Sequence, residues 1–341
     1  MKILVGLSGG VDSAYAALKL KEEGHTVEGA VLLMHEYTEI EPAEITAQNL
    51  GIPLHVIDAR KRFSEIVIPN FINEYLSART PNPCIICNSE VKFRILADFA
   101  KEHGFDKIAT GHYARIREIS DSDGVRYAIE EGRDGKKDQS YMLYRLPQDI
   151  LSMTVFPLSE IEKEDTRKGA QVAMLSVADK AESQEICFIP DGDYASYIEK
   201  RTGNSRVGDF IDENGTVLGK HNGIIRYTVG QRKGLGIALG VRSYVSKIDP
   251  EANTVTVTDK LREKDSFTVS GIVFSGEKRV NPETDYQVRL RYQAKPIRCR
   301  VSHIENGKAR VSLLDKARVI TAGQSAVFYS CGAVMFGGFI D

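Results

Sequence analysis

The sequence predicts a doubly wound, parallel α/β domain followed by a small central domain and a C-terminal antiparallel β-barrel. Three observations carry this prediction. Short apolar runs alternate with helix-like segments through the first part of the chain, the pattern of βαβ units that build a parallel sheet. The first apolar run passes directly into a polar glycine turn, Ser8-Gly9-Gly10-Val11-Asp12-Ser13. From Asn204 onward the helical period fades, and short alternating runs appear between turns, as in small barrels.

Taken in order, residues 2–7 are rich in Ile, Leu and Val and suit a strand buried on both faces. Residues 13–23 hold helix formers, and Gly24 stands where a helix ends in a left-handed residue. Residues 26–33 read as the next strand, 44–50 as a helix closed by Gly51, and 54–57 as a third strand. A helix over about residues 63–75 leads into the turn Thr80-Pro81-Asn82-Pro83, and Cys84 and Cys87 are expected on that turn. A further helix covers roughly 90–103, and 107–110 is a fourth buried strand. Later strands are expected at 244–248, 254–257, 288–292, 309–313 and 326–330. The expected domain limits are 1–195, 196–262 and 263–341.

Length and composition agree with a multidomain globular chain. With 341 residues the chain exceeds one ordinary core, and 27% charged residues rule out a membrane-embedded or fibrous class. No apolar run approaches the roughly 18–20 residues that span a bilayer. The N-terminus enters a strand and a polar turn after one lysine, so no signal peptide and a cytoplasmic location are expected. Residues 201–341 carry 22 Lys and Arg against 14 Asp and Glu, whereas residues 1–200 carry 23 against 33. A basic C-terminal part on an acidic N-terminal part points to a polyanionic partner. The five cysteines, an odd number, argue for reactive-thiol or metal chemistry over a disulfide framework.

The glycine turn is the first chemical feature. Successive backbone N–H groups and a helix N-terminus make such a turn an anion site. Gly9 and Gly10 let the backbone approach a phosphate, Ser8 and Ser13 add hydroxyls, and Asp12 is a candidate magnesium partner. The Gly-Lys-Ser/Thr ending of a Walker loop is missing. Strand four ends in Ala109-Thr110-Gly111-His112-Tyr113 and is expected beside this loop. There Gly111 could let a nucleotide pass, and His112 could meet a phosphate or a base.

Cys84-Ile85-Ile86-Cys87 has the spacing of half a zinc knuckle, but there is no second close pair to complete four ligands. Cys187, within Glu182-Ser183-Gln184-Glu185-Ile186-Cys187-Phe188-Ile189, has a comparably distinctive setting. Cys299 and Cys331 read as inert strand residues.

The glycine turn resembles the pyrophosphate loop of the PP-loop ATPases, the adenine nucleotide alpha hydrolase-like domains. The ordered set of Ser8–Ser13, Thr80–Asn88, Ala109–Arg115, Lys137–Tyr141, Phe156–Leu158, Ser183–Ile189 and Tyr227–Leu235 resembles the tRNA-specific 2-thiouridylases over essentially the whole chain. That resemblance implies sulfur replacing O2 of the wobble uridine, position 34, in lysine, glutamate and glutamine tRNAs. It also implies ATP with Mg2+ held by Gly6, Leu7, Ser8, Gly9, Gly10, Val11, Asp12 and Ser13, with Met34 and Gly111 near the adenosine. Cys187 would carry a persulfide and Cys87 would be the second catalytic thiol. Asn88, Ser89 and Glu90 would border the flipped base. His112, Lys137, Asp138, Gln139, Arg291, Tyr292 and Gln324 would contact tRNA. A cysteine desulfurase or a persulfide relay protein would supply the sulfur.

Two departures from the family pattern bear on mechanism. Cys84 stands where many members have Asp, so Cys84, Cys87 and Cys187 could instead ligate a 4Fe–4S cluster with one open iron. The persulfide and cluster routes both stay open at this stage. The segment after Met34 is short and lacks the family's Trp; the chain has no Trp at all. The alternative is therefore a paralogous adenylating sulfurtransferase with a different RNA or small-molecule acceptor. A non-catalytic RNA-binding module would not need an intact loop and both cysteines.

Overall fold

The computed structural model describes residues 1–121, 124–175, 186–203, 206–237 and 240–341. In chain order the first strands are β1 (Lys2–Gly6), β2 (Thr26–Leu33), β3 (Leu54–Asp58), β4 (Lys107–Ala109), the hairpin β5 (Ala114–Asp121) and β6 (Gly124–Glu131), and β7 (Thr154–Val155). Among the described residues, five of these make one sheet in the order β3-β2-β1-β4-β7, with every neighbouring pair parallel.

Alternation along β1 explains the layers. Ile3 and Val5 join Ala14, Ala17 and Leu20 of helix α1 (Val11–Glu22) and Ala43 and Ala47 of helix α2 (Glu41–Leu50) on one face. Leu4 points the other way, into a cluster with Phe63, Val67 and Phe71 of helix α3 (Arg60–Leu76) and Phe93 and Leu96 of the helix Phe93–Glu102. A strand apolar at every position thus feeds two cores, as the sequence predicts for a doubly wound sheet. The chain builds outward from β1 to β3, then returns to lay β4 on the opposite side of β1. The strand order reverses between β1 and β4, and the crevice at their C-terminal ends is where such sheets bind ligands.

The second sheet is formed by β8 (Gly208–Ile211), β9 (Val217–His221), β10 (Tyr244–Asp249) and β11 (Thr254–Thr258), in the order β10-β11-β8-β9. The last strands are β12 (Lys264–Phe274), β13 (Tyr286–Arg289), β14 (Ile297–Val301), β15 (Lys308–Ala317), β16 (Ser325–Ser330) and β17 (Ala333–Ile340). They follow one another as β12-β15-β14-β13-β16-β17, and β12 also pairs with β17, so the barrel closes. Closure leaves no open edge within the barrel.

The β5–β6 hairpin was not foreseen. It leaves the first domain and abuts the barrel through Ala333 and Glu130. A buried polar joint fixes it there: Arg289 donates to Asp138 Oδ2 at 2.8 Å and pairs with Glu131, while Ser140 Oγ donates to Asp138 Oδ2 at 2.8 Å.

Three sequence expectations need correction. Cys84 and Cys87 are not on a turn: Asn82 caps a helical turn Pro83–Ile86 by accepting from the Cys84 N–H, and Cys87 opens a π-helix, Cys87–Lys92. Strand β13 stops at Arg289, so Arg291 and Tyr292 lie in the following turn, where Gln293 has a left-handed φ of 58°. Cys331 is exposed, in the tight turn between β16 and β17, and is not a strand residue. Cys299 is a core residue, fully buried in β14. No described helix is long and apolar enough to cross a membrane.

Candidate active site

The loop after β1 is stitched by its own hydroxyls. Ser13 Oγ accepts from the Ser8 N–H at 3.1 Å and donates to the Gly10 carbonyl at 2.9 Å. Gly9 has φ 69°, and a Cβ there would stand 2.7 Å from Pro42 Cβ, so only glycine fits without displacement. Gly10 is the N-cap of helix α1, and no side chain caps it. Its first-turn N–H groups are therefore left for an anion. Loop and helix end together form a cradle that suits a polyphosphate.

Gly111 closes the crevice from β4. A Cβ on it would lie 2.5 Å from the Asp12 carbonyl carbon and 2.6 Å from the Ser13 nitrogen. The residue that sequence reading opened for a nucleotide is glycine because the loop backbone itself passes against it. The neighbouring His112 is held by a 2.8 Å hydrogen bond between its Nδ1 and Thr110 Oγ1. Burial, with the charge of Lys92 in addition, keeps its pKa well below the ordinary imidazole range. It is therefore neutral and suited to a base edge or a hydrogen bond, not to neutralising a phosphate.

Asp12 is engaged more firmly than expected. Lys163 Nζ reaches both its oxygens at 2.6 Å, and Tyr113 Oη donates to Oδ1 at 2.8 Å. Sequence reading quoted Tyr113 without a role and missed Lys163, which arrives from the helix Lys163–Val172.

The thiols lie next to this cradle. The Cys87 thiol donates to the Met34 thioether at 3.6 Å. Met34 follows β2 and so links the expected adenosine side to the cysteine side. Cys87 is buried, whereas Cys84 and Cys187 are reached by solvent. Cys187 sits on a turn closed by Ile189 N–H to Ile186 O at 2.8 Å, and Phe188 anchors that turn against Phe63, Phe71 and Tyr197. Residues Glu182 to Glu185 of its motif lie outside the described residues.

All three thiols are pushed up from the ordinary range, first by desolvation: Cys187 to about 11, Cys87 to about 12, and Cys84 in the same direction. Cys84 and Cys187 are exposed as residues, yet the chain around their thiols still desolvates them. Cys84 adds repulsion to Cys87 and Cys187, which brings the three into one electrostatic neighbourhood. Lys92 opposes the rise at each of them. The π-helix sets this up, because its wider turn stacks residue 92 against residue 87. A Lys five residues after a Cys was the available sequence signal. Among the described residues, no group of three His, Cys, Asp or Glu side chains could hold a metal ion as arranged. The thiols are neighbours without being a preformed metal cradle.

The residues expected around the target base are structural in part. Asn88 and Ser89 are buried, with Asn88 Nδ2 donating to the Met142 carbonyl at 3.1 Å and Ser89 Oγ to the Ile86 carbonyl at 3.4 Å. Glu90 is only half-buried. Of the expected tRNA contacts, Asp138 is buried within the Arg289 joint and Gln139 Oε1 accepts from the Tyr113 N–H at 3.0 Å. Gln324 Nε2 donates to the Thr80 carbonyl at 2.7 Å, fastening the barrel to the segment before the cysteine helix. The Thr80 N–H also donates to the Ala322 carbonyl of the barrel at 2.8 Å, and the Thr80 hydroxyl donates to Thr228 Oγ1 of the central domain at 3.2 Å. Lys137 is half-buried, Arg291 is exposed and Tyr292 packs on the core edge. Beside the Cys187 turn, a cavity of about 350 Å³ opens between Asp193 and the central domain, lined in part by Lys220, Arg226 and Tyr227.

Three family models match in succession: a tRNA methyl transferase HUP domain over residues 1–191, a tRNA methyl transferase PRC-barrel domain over 195–259, and an aminomethyltransferase beta-barrel domain over 264–340. A tRNA-specific 2-thiouridylase of Clostridium perfringens is 42% identical over 100% of this chain and 98% of its own length. Namesakes from Caldicellulosiruptor saccharolyticus and Geotalea uraniireducens are each 41% identical over 100% of this chain and 98% and 95% of their own lengths.

Proposed function

This chain belongs to the tRNA-specific 2-thiouridylase family, and on that premise we propose that Cys187 and Cys87 form a persulfide relay serving a nucleotide bound at Ser8–Ser13. The protein is an ATP-using tRNA-uridine 2-sulfurtransferase, and the full-length match favours tRNA over a small-molecule acceptor. The observation that carries the relay is the juxtaposition of a buried thiol, a solvent-reached thiol and the nucleotide crevice around Met34.

In this reading the uridine O2 attacks the α-phosphorus of ATP, and pyrophosphate leaves toward the α1 N-terminus and its uncapped N–H groups. Adenylation converts a poor leaving oxygen into part of AMP. The terminal sulfur of a Cys187 persulfide then attacks C2, and AMP departs with the former O2. The Cys87 thiolate next attacks Cys187 Sγ, cleaving the sulfur–sulfur bond and releasing the thiouridine. A Cys87–Cys187 disulfide remains, which an external dithiol returns to two thiols. Lys92 supplies the nearby positive charge that favours each thiolate.

The likeness also supports lysine, glutamate and glutamine tRNAs as acceptors and a persulfide-bearing protein as donor. Lys137 and Arg291, with the cavity beside Asp193, offer the cationic contacts for the tRNA backbone. Cys187→Ser should abolish turnover with a persulfide donor while leaving ATP binding intact. Iron and labile sulfide measured on anaerobically purified protein separate this route from a cluster on Cys84, Cys87 and Cys187. Stoichiometric iron that is needed for turnover would overturn the relay.

A further inference from the structure

We propose that Lys163 is a positioning residue of the ATP site, holding Asp12 by both oxygens and neutralising it so that polyphosphate can enter beside it. The inference rests on the ATP reading and goes beyond it in naming the residue that makes the loop electrostatically competent.

Lys163 breaks two local rules. Its side chain is only 9% exposed, and an ammonium is seldom buried unless paired. It is also the first residue of the helix Lys163–Val172, where the positive end of the helix dipole disfavours a cation. The loop carboxylate of Asp12, 151 residues away in sequence, offsets these costs. The lysine at this position reaches the loop, where its ammonium meets both carboxylate oxygens of Asp12.

The support around the pair is rigid. The Lys163 backbone N–H donates to Asp134 Oδ2 at 3.0 Å, which fixes the start of its helix. Tyr113 Oη, hydrogen-bonded to Thr166 Oγ1 at 2.9 Å, donates to Asp12 Oδ1, and the Lys163 ammonium lies 5.8 Å from the Tyr113 ring centre. Further along the same helix, Gly169 lets Tyr15 of α1 pack closely: a Cβ there would stand 2.4 Å from the Tyr15 ring. Asp12 and Tyr15, three residues apart and so on one face of α1, are thereby both held to one helix, and the clamp ends on Asp12.

The reason for a clamp is electrostatic. Asp12 is in the first turn of α1, beside the N–H groups left for phosphate. An uncompensated carboxylate there would repel the polyphosphate the loop has to accept. Lys163 cancels that charge before the nucleotide arrives. If a divalent cation came in with the nucleotide, Asp12 would help to hold it, and the Lys163 ammonium would stay beside the polyphosphate.

The test is equilibrium ATP binding, with and without Mg2+, to the parent protein, Lys163→Met, Lys163→Arg, Asp12→Asn and the double variant, with thermal melting of each in the absence of nucleotide. Lys163→Met should bind ATP about tenfold more weakly or worse, as expected for losing a charged partner. Lys163→Arg should recover most of the affinity. In the Asp12→Asn background the loss should shrink, because the charge Lys163 cancels is gone. If Lys163→Met melts too early to assay, Lys163→Gln, which keeps hydrogen bonding without the charge, must show the same loss. A folded Met or Gln variant binding ATP within twofold of the parent would overturn the proposal. A parent protein that binds no ATP would instead overturn the ATP reading itself.

Discussion

The Cys87 thiol lies 3.6 Å from the sulfur of Met34, the residue proposed to border the nucleotide, so on that proposal the nucleotide crevice and the sulfur chemistry share a wall. Met34 directly follows the second strand of the parallel sheet, and Cys87 opens a π-helix. Their contact means that a nucleotide settling against Met34 bears on the buried thiol directly. Met34→Ala should therefore weaken ATP binding and, at saturating ATP, also change the rate at which Cys87 is alkylated. Peptide-resolved mass spectrometry with a thiol reagent checks the second effect. Cys87 labelling that ignores the substitution would show that the two sites do not communicate.

Gly111 should not tolerate a methyl group. Gly111→Ala drives a Cβ to 2.5 Å from the Asp12 backbone, and overpacking of this kind costs about 1–3 kcal/mol. Urea unfolding should report that loss, and ATP affinity should fall with it. An Ala variant as stable and as tight-binding as the parent would remove the close approach from the account.

The thiols set the pH dependence. Only the thiolate reacts, and desolvation raises Cys187 to about 11, so its alkylation rate should keep climbing past the pH at which an ordinary thiol has levelled off. Lys92 lowers that value, so Lys92→Met should slow Cys187 alkylation at any fixed pH below it. The measurement is the rate of iodoacetamide modification of the Cys187 peptide across alkaline pH. A midpoint at or below that of a free thiol would contradict the desolvated setting.

Much of the fold was legible because burial writes itself into short apolar runs. Residues 2–7 read as a two-faced strand, and Ile3, Leu4 and Val5 indeed divide between two cores. The β5–β6 hairpin was illegible for the opposite reason: its eight-residue strands alternate weakly, and their partner is a strand some 200 residues later. Within the site, the glycine loop and Cys87 stood out because their types are rare in that spacing. Lys163 did not, since a lysine at a helix start looks like a solvated charge until Asp12 is seen beneath it. The structural side of Asp138 was illegible for a similar reason: its motif resembles an RNA-contact stretch, and its carboxylate is buried against Arg289 and Ser140.

Gln324 links the barrel to Thr80, in the segment that leads into the helical turn carrying Cys84. Gln324→Ala removes the 2.7 Å bond to the Thr80 carbonyl and should cost about 1 kcal/mol. Hydrogen exchange should rise around residues 80–84, with ATP affinity unchanged. Exchange that stays at the parent level would show that Ala322 and Thr228 hold the loop without help.

The most direct test of the account is nucleoside mass spectrometry on unmodified tRNA incubated with the protein, ATP, Mg2+ and a persulfide donor. The predicted result is 2-thiouridine at the wobble position with AMP formed in step, both lost in Cys187→Ser. AMP released without any thiolated nucleoside, from every wobble-uridine tRNA tried, would contradict it.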